Sequence, residues 1–586
     1  MKKYKNYLMT AAMATMLLSL NSCDLDEYNP GGSTADTAFK SQTGYNTIIN
    51  SVYAYWGGQL YGREDPVLLF NGGNDEWINI ANSGYGRQLS KYEEVLATTG
   101  QYKNTWNRLY EIINDCNAAI ERHPNVDFTD ATMKKVRLGE AHFMRAYAYW
   151  HLVENYGNVD LRTKETKEFQ GTCQRSSYAE FYNLMLNDCD VAIANLEAQP
   201  YPKEDVGRAT LKAAYGLKAR IALTYVEYLN DQSEKDKYYQ MAEDAAKYVI
   251  DHKSELGVEM YSTPAEVFAK GNNKTNKEAM FVITHSSEPT LNMKTSNPCR
   301  THSYFHAKYS DWAGVQGSYE YGNDKNGKSG GMCMMPTKHL LDLYSNPYDT
   351  RYKAWFRENY YVNTDGGFTW DETQLAHFEK PAEMVGTHLN KGDLAMQFTK
   401  EKVADKRNKP YAVVDIDDIY DQNGVVTKDA NFNIHFPSLL KYEDENLEKK
   451  GYAYKSEVGA NDIIVMRLPE MYFIVAECEV MKTGGNKSIA KDYINEIRKR
   501  AAAPGHEAEM LVSENDMTLD FILDERSREL CGEHLRWFDL KRTGKLKEYV
   551  KKYNPNITQE AKVLRPIPQS FLDSILNPDE FGQNDF

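Results

Sequence analysis

Gly322-Asn-Asp-Lys-Asn-Gly327-Lys328-Ser329 reproduces the phosphate-loop pattern G-x-x-x-x-G-K-S letter for letter. Such a loop works only between a buried strand and a helix, where backbone N–H groups and the helix N-terminus face the anion. Here Ser318-Tyr-Glu-Tyr321 precedes and Gly330-Gly331 follows, so the run reads as a polar surface turn. The run Asp415-Ile-Asp417-Asp418-Ile-Tyr-Asp421-Gln-Asn423-Gly424 invites calcium. Setting Gly424 at the sixth position of an EF-hand puts Ile419 at the first, where a carboxylate is required. An EF-hand is excluded, and an irregular structural calcium site stays open. Neither H-E-x-x-H nor G-x-S-x-G occurs, which removes the usual anchors of zinc peptidases and serine esterases. A glycosidase needs only two carboxylates about 5 to 10 Å apart, and 84 acidic residues supply such pairs by chance. No catalytic residue and no cofactor is therefore assigned.

Two aromatic clusters set among amides and charges are more informative. One is Asn71-Gly-Gly-Asn74-Asp75-Glu76-Trp77-Ile-Asn79 with Tyr85-Gly-Arg87; the other is Tyr304-Phe305, Trp312, Tyr319 and Tyr321 in a glycine-rich stretch. Exposed rings stack on the C–H faces of sugars while Asp, Asn and Arg take the hydroxyls, and such a site binds without doing chemistry. Asp75, Trp77, Asn79, Tyr85, Arg87, Tyr304, Trp312, Tyr319 and Tyr321 are the expected ligand contacts. The competing possibility is that the rings pack loops against a scaffold.

The scaffold is legible in the periodicity. Apolar residues return every three or four positions from about 36 to 252, with helices expected at 103–122, 129–155, 177–198, 207–229 and 236–252. His123-Pro124 and Tyr156-Gly157 stop the first two of these. Helical period returns at 466–483, 488–503 and 518–547. Short links make antiparallel pairs, similar to tetratricopeptide packing. Between about 253 and 465 Gly, Asn, Asp and Tyr are frequent and clear helical period is confined to pieces such as 337–345. The expected fold is all-α dominated, a tetratricopeptide-like helix-pair scaffold with a long, irregular, loop-rich insertion that presents the binding groups.

Composition narrows the partners. Lys and Arg number 69 against 84 Asp and Glu, a net charge of −15, and no basic patch is visible, which argues against nucleic acid and suits a neutral or cationic ligand. The eight cysteines are scattered without C-x-x-C, so neither a disulfide framework nor a zinc site is indicated. Lys2, Lys3 and Lys5 precede an apolar run from Tyr7 to Leu20, shorter than the roughly 20 residues of a spanning helix, and Leu20-Asn21-Ser22-Cys23 ends it. This is similar to a bacterial lipobox: residues 1–22 are expected to be a lipoprotein signal peptide and Cys23 the lipidated residue. Residues 23–35 read as an acidic linker containing Pro30, Gly31 and Gly32.

Several segments together resemble the hallmarks of one family. Gly139-Glu-Ala-His-Phe-Met-Arg145-Ala-Tyr-Ala-Tyr149 through Tyr156-Gly157-Asn-Val159 resembles its first hallmark helix and exit. Ala209-Thr-Leu211 to Leu223 is similar to the paired helix, and Arg467-Leu-Pro-Glu470-Met-Tyr472 to Ala501 to the third hallmark. Glu525-Arg526 through Glu533-His-Leu-Arg536-Trp537-Phe-Asp539 resembles the fourth, and Pro566-Ile567-Pro568 with Gln583-Asn584 the terminus. Their helical spacing points to structural ion pairs at Glu140, Arg145, Glu529 and Arg536. Pro469 departs from the pattern and is expected near a helix start; His534 stands where the family commonly has glycine. The family that these segments resemble is SusD/RagB, the nutrient-binding outer-membrane lipoproteins, and the resemblance implies one domain over 36–586, with scaffold at about 36–252 and 466–586 and ligand-binding loops at about 253–465. It further implies non-catalytic capture of an oligosaccharide and delivery to a SusC-like TonB-dependent transporter. The location implied is the outer membrane, with the chain facing outward on its lipid. Peptide capture, and a surface glycoside hydrolase, remain the alternatives.

Overall fold

The computed structural model describes residues 35–62, 64–80, 84–168, 170–198, 207–286, 299–310, 312–316, 334–444 and 459–586. Cys23, the signal-peptide and lipobox segments, Tyr319, Tyr321, Cys333 and the 322–329 turn lie outside them.

Helices dominate, and each expected one forms where its caps allow. Helix α1 (Gln42–Tyr55) starts at Ser41, whose side chain accepts from the Gly44 N–H. Helix α2 (Gly100–Arg122) buries Trp106, Leu109, Ile113 and Cys116 on one stripe. Helix α3 (Ala131–Tyr156) is capped by Asp130 and stopped by Gly157, whose φ of 72° no β-carbon favours. Helices α4 (Tyr178–Leu196), α5 (Leu211–Tyr225) and α6 (Gln232–Asp251) start at Ser177, Thr210 and Asp231. Near the other end of the chain, α7 (Leu468–Met481) begins one residue before Pro469, where the missing N–H costs nothing, and α8 (Lys487–Ala501) follows. Neighbours pack α2 on α3, α3 on α4, α5 on α6, α6 on α7 and α7 on α8, an all-α tetratricopeptide-like scaffold assembled from both ends of the sequence. Among the described residues no helix is long and apolar enough to cross a membrane.

Ion pairs join the layers. Arg145 donates to both carboxylate oxygens of Asp188, at 2.8 and 2.7 Å, and ties α3 to α4. Arg220 grips Glu470 at 2.8 and 2.6 Å and ties α5 to α7. Glu140 takes Arg137 of its own helix at 2.7 Å and Arg208 at 3.3 Å. Glu529 receives Arg467 at 2.7 Å, Arg500, and Arg351 at 3.4 Å. Burial alone would raise its pKa, but Arg500 and then Arg467 hold it well below the usual carboxylate range. The end of the chain closes the scaffold: Arg565 N–H donates to the Asn155 carbonyl at 2.7 Å, and the Asn584 amide to the Tyr156 carbonyl at 2.8 Å.

The helical period expected across 518–547 is divided into α9 (Leu519–Leu530), α10 (Arg536–Arg542) and α11 (Leu546–Tyr553). Gly532 at φ 76° and His534 at φ 64° make the first break. His534 thus occupies the left-handed region that glycine enters without penalty. Its N–H donates to the Asn71 side chain at 3.0 Å, and its ring packs on Tyr61 at 5.3 Å and Phe70 at 6.3 Å.

Strands are short. β1 (Trp77–Asn79) pairs antiparallel with β3 (Met334–Pro336), Trp77 opposite Pro336 and Asn79 opposite Met334. β2 (Ala279–Ile283) pairs antiparallel with β7 (Ile463–Arg467). In the middle region β4 (Asn359–Tyr361) runs antiparallel to β5 (Leu394–Phe398), which is parallel to β6 (Ala412–Val414). The six described thiols, among them Cys116, Cys189 and Cys478, are unpaired and buried.

Candidate functional site

The loop from Asn71 to Asn79 is part of the core. Arg536 donates to Asp75 Oδ1 at 2.8 Å and Oδ2 at 2.6 Å, and the Thr337 hydroxyl donates to the Asp75 carbonyl at 2.6 Å. Burial would raise the Asp75 pKa, but Arg536 outweighs it and the group is held below its ordinary value. Trp77 lies edge-on to Phe305 with centroids 4.8 Å apart, and its indole N–H donates to Glu76 at 3.1 Å. Burial pushes the Glu76 carboxyl up to about 7, only partly offset by Arg536. Asn79 is held in the β1–β3 ladder, and the Asn554 amide donates to the carbonyls of Asn74 and Trp77 at 2.7 and 3.1 Å.

These positions correct the expected ligand surface. Asp75, Trp77, Asn79 and Tyr304 are each no more than 2% exposed, so none has a face to offer a sugar. The same chemistry that would hold a hydroxyl here holds the loop to α10, because Arg536 fills the carboxylate and Phe305 the indole edge. Of the first cluster Arg87 keeps exposure, with its guanidinium 3.7 Å from Glu94. Tyr85 belongs to the helix Gly84–Lys91.

Trp312 is the half-buried aromatic of the second cluster. Its ring lies flat on His377, with centroids 3.7 Å apart and planes 16° off parallel, and meets the edge of Phe378 at 5.7 Å. Burial pushes His377 down to about 4 and His435 well below its ordinary value, so the stack is between neutral rings. The backbone turns back at once: Trp312 bridges to Val315, with Ala313 at φ 46° and Gly314 at φ 73°. The Ala313 N–H donates to the Gln374 side chain at 2.7 Å, and a β-carbon at Gly314 would stand 2.6 Å from that of Phe368. The indole is thereby braced on one face by His377 and set on a reversed backbone.

Three distant stretches also converge, which sequence reading missed. The Arg300 N–H donates to the Gly62 carbonyl at 2.6 Å, the Gly459 N–H to the Cys299 carbonyl at 2.7 Å, and the Asn461 N–H to Asp444 at 3.0 Å. His302 and Asp444 meet at Gly459, where an added β-carbon would stand 2.9 Å from the His302 ring nitrogen and 3.5 Å from the Asp444 carboxylate, a convergence that no local pattern encodes. The carboxylates of the acidic run near 420 are engaged by cationic side chains: Lys406 pairs with Asp415 at 2.6 Å, Lys402 with Asp417 at 2.9 Å, and Arg407 with Asp418 at 2.7 Å. Among the described residues no group of three metal-ligating side chains is placed to hold an ion.

Comparison with known proteins agrees with this architecture. A family model described as "SusD family" matches residues 295–579, and one described as "Starch-binding associating with outer membrane" matches residues 25–223. A SusD-like protein of Formosa agariphila is 23% identical over 550 residues, covering 91% of this chain and 89% of its own. A SusD homolog from Bacteroides thetaiotaomicron superposes with a TM-score of 0.68 at 18% identity, over 95% of this chain and 99% of that one. Surface glycan-binding protein A from the same organism, solved in complex with laminarihexaose, gives 0.64 at 17% identity over 93% and 100%. A laminarin-binding SusD-like protein gives 0.61 at 18% over 93% and 99%.

Proposed function

Because the chain belongs to the SusD/RagB family, we propose that it is a non-catalytic glycan receptor of the outer membrane that passes its ligand to a SusC-like TonB-dependent transporter. Two structural neighbours are named for laminarin or laminarihexaose, and the family description associates its members with the outer membrane. Trp312 carries the reading onto this chain, since it is a half-buried indole stacked on His377 and set on a backbone reversal. A ring held this way offers a flat apolar face of the kind that stacks on a sugar. Tyr319 and Tyr321, a few residues further on, and the half-exposed Arg87 are proposed to complete the surface. The lipid on Cys23 and the linker to residue 35 are proposed to tether the single domain on the exterior, beside the transporter.

A glycan array probed with the full-length protein, and repeated with Trp312→Ala, tests the reading. Binding to one glycan class that the variant loses is expected. Sustained release of shorter products, or capture of peptides in place of glycans, would defeat it. Co-purification with a transporter from the native membrane tests the partner.

A further inference from the structure

Trp106, Tyr110 and Asn114 recur at every fourth position of α2, and Asn107, Glu111 and Asp115 form the row beside them. Both rows line a cavity of about 460 Å³, within the roughly 300–1,000 Å³ usual for small-molecule sites. Its other walls come from the stretch after α3, with Glu168 and Gln170, and from Phe571 and Ile575 around the short helix Gln569–Leu572. These walls are fixed to one another: the Thr166 N–H donates to the Asn114 side chain at 2.8 Å, the Leu576 N–H to the Gly171 carbonyl at 2.6 Å, and the Cys173 N–H to the Asn577 side chain at 3.1 Å. Trp106 closes the floor, and the rings of Tyr110 and Phe571 meet it at centroid distances of 5.0 and 4.9 Å and angles of 53° and 50°. The three rings make an inclined apolar trough.

Most charges around the trough are matched within the chain. Arg162 is met by Asp160 at 2.7 Å, and Glu111 by Arg108 of its own helix at 2.6 Å. Two carboxylates remain. The half-buried Asp115 takes the Ser51 hydroxyl on one oxygen at 2.7 Å and keeps the other, and the exposed Glu168 has no hydrogen bond or ion pair with another described residue. The side-chain amides of Asn107 and Gln170 are likewise without partners among the described residues. Burial raises the Asp115 pKa and the Ser51 hydroxyl offsets only part of it, so a cation seated beside this group would relieve a cost that a neutral ligand leaves in place.

We propose that this cavity is a second binding site, for a sugar unit carrying a free amine, a cationic hexosamine. Asp115 and Glu168 take the ammonium, Asn107 and Gln170 the hydroxyls, and the aromatic trough the C–H face of the ring. A lysine side chain shares the ammonium but brings a flexible stem in place of a ring with a flat face. The cavity shares no residue with the Trp312 surface, so each reading fails or stands alone, through Asp115→Asn here and Trp312→Ala there.

Isothermal titration of the full-length protein with a glucosamine trisaccharide, its N-acetylated counterpart, a glucose trisaccharide, a trilysine peptide and methylammonium decides it. The glucosamine trisaccharide should bind, and the acetylated and glucose forms should bind more weakly by about tenfold or more. Asp115→Asn, which keeps an acceptor for Ser51, should weaken the amine-bearing sugar by about fivefold or more at an unchanged melting profile. Glu168→Gln, an exposed change that leaves the fold alone, should reproduce the loss, and Trp312→Ala should leave this binding intact. No binding of the glucosamine trisaccharide, equal binding of the three trisaccharides, or an indifferent Asp115→Asn or Glu168→Gln would overturn the proposal. So would trilysine or methylammonium binding as tightly as the sugar, which would mark a bare cation seat. Loss of the amine-bearing sugar in Trp312→Ala would assign it to the other surface and overturn the proposal as well.

Discussion

Arg536 holds Asp75 by two parallel hydrogen bonds across 461 positions of chain, and neither side chain is more than 4% exposed. Through that pair the loop before β1 is fixed to α10, and the loop residues that look most like sugar ligands become part of the fold.

Removing one partner strands the other as a buried, uncompensated charge. Arg536→Met should therefore lower the unfolding free energy by about 3–5 kcal/mol, read as a lower denaturant midpoint at unchanged slope. A loss under about 1 kcal/mol would mean that the pair is dispensable.

Glu76 gives a pH signature. Its carboxyl is raised from 4.5 to about 7 in the folded protein. Below pH 4.5 both folded and unfolded chains carry the proton. Between 4.5 and 7 the unfolded chain releases it while the folded chain keeps it, so stability falls as pH rises, by up to about 1.4 kcal/mol per pH unit. Above 7 the penalty is full and constant. Glu76→Gln should remove this slope, so the difference between variant and parent should grow from pH 5 to 7; a flat difference would disprove the buried titration.

At Trp312 the measurable quantity is affinity. Trp312→Ala should weaken glycan binding at least tenfold, about 1.4 kcal/mol, without shifting the melt by more than a few degrees. His377→Ala, which removes the brace and leaves the indole, should produce a smaller loss through slower association or a less favourable entropy, measurable by calorimetry.

His534 allows a backbone term to be isolated. His534→Ala and His534→Gly delete the same contacts with Tyr61 and Phe70 and differ only at a φ of 64°. The glycine variant should be the more stable by about 1 kcal/mol. An alanine variant more stable than the glycine one would show that the left-handed turn carries no strain, since the freer unfolded chain of the glycine variant then decides the difference.

These cases show where sequence reading succeeds. Helices α2 to α8 were legible because caps such as Asp130, Ser177 and Asp231 and stops such as Gly157 act within a few residues. The start of α7 near Pro469 was legible for the same reason, and the ion-pairing roles of Glu140, Arg145, Glu529 and Arg536 were legible from helical spacing, although the partners were not. Asp188, Glu470 and Asp75 are chosen by packing. The break after Leu530 was missed because a histidine in the left-handed region leaves no signal in hydrophobic period. Trp77 and Tyr304 were misread as surface because an aromatic among amides suits a sugar and a polar core equally. Only the placement of Phe305 and Arg536 decides between them.

The closing contacts of Arg565 and Asn584 on the end of α3 impose an order on synthesis. Helix α3 cannot acquire its full set of neighbours until Arg565 and Asn584 have been made, and α5 waits likewise for Glu470. Such long-range closure delays compaction while translation proceeds. Loss of Asn584 alone would therefore loosen the end of α3, 428 positions earlier in the chain.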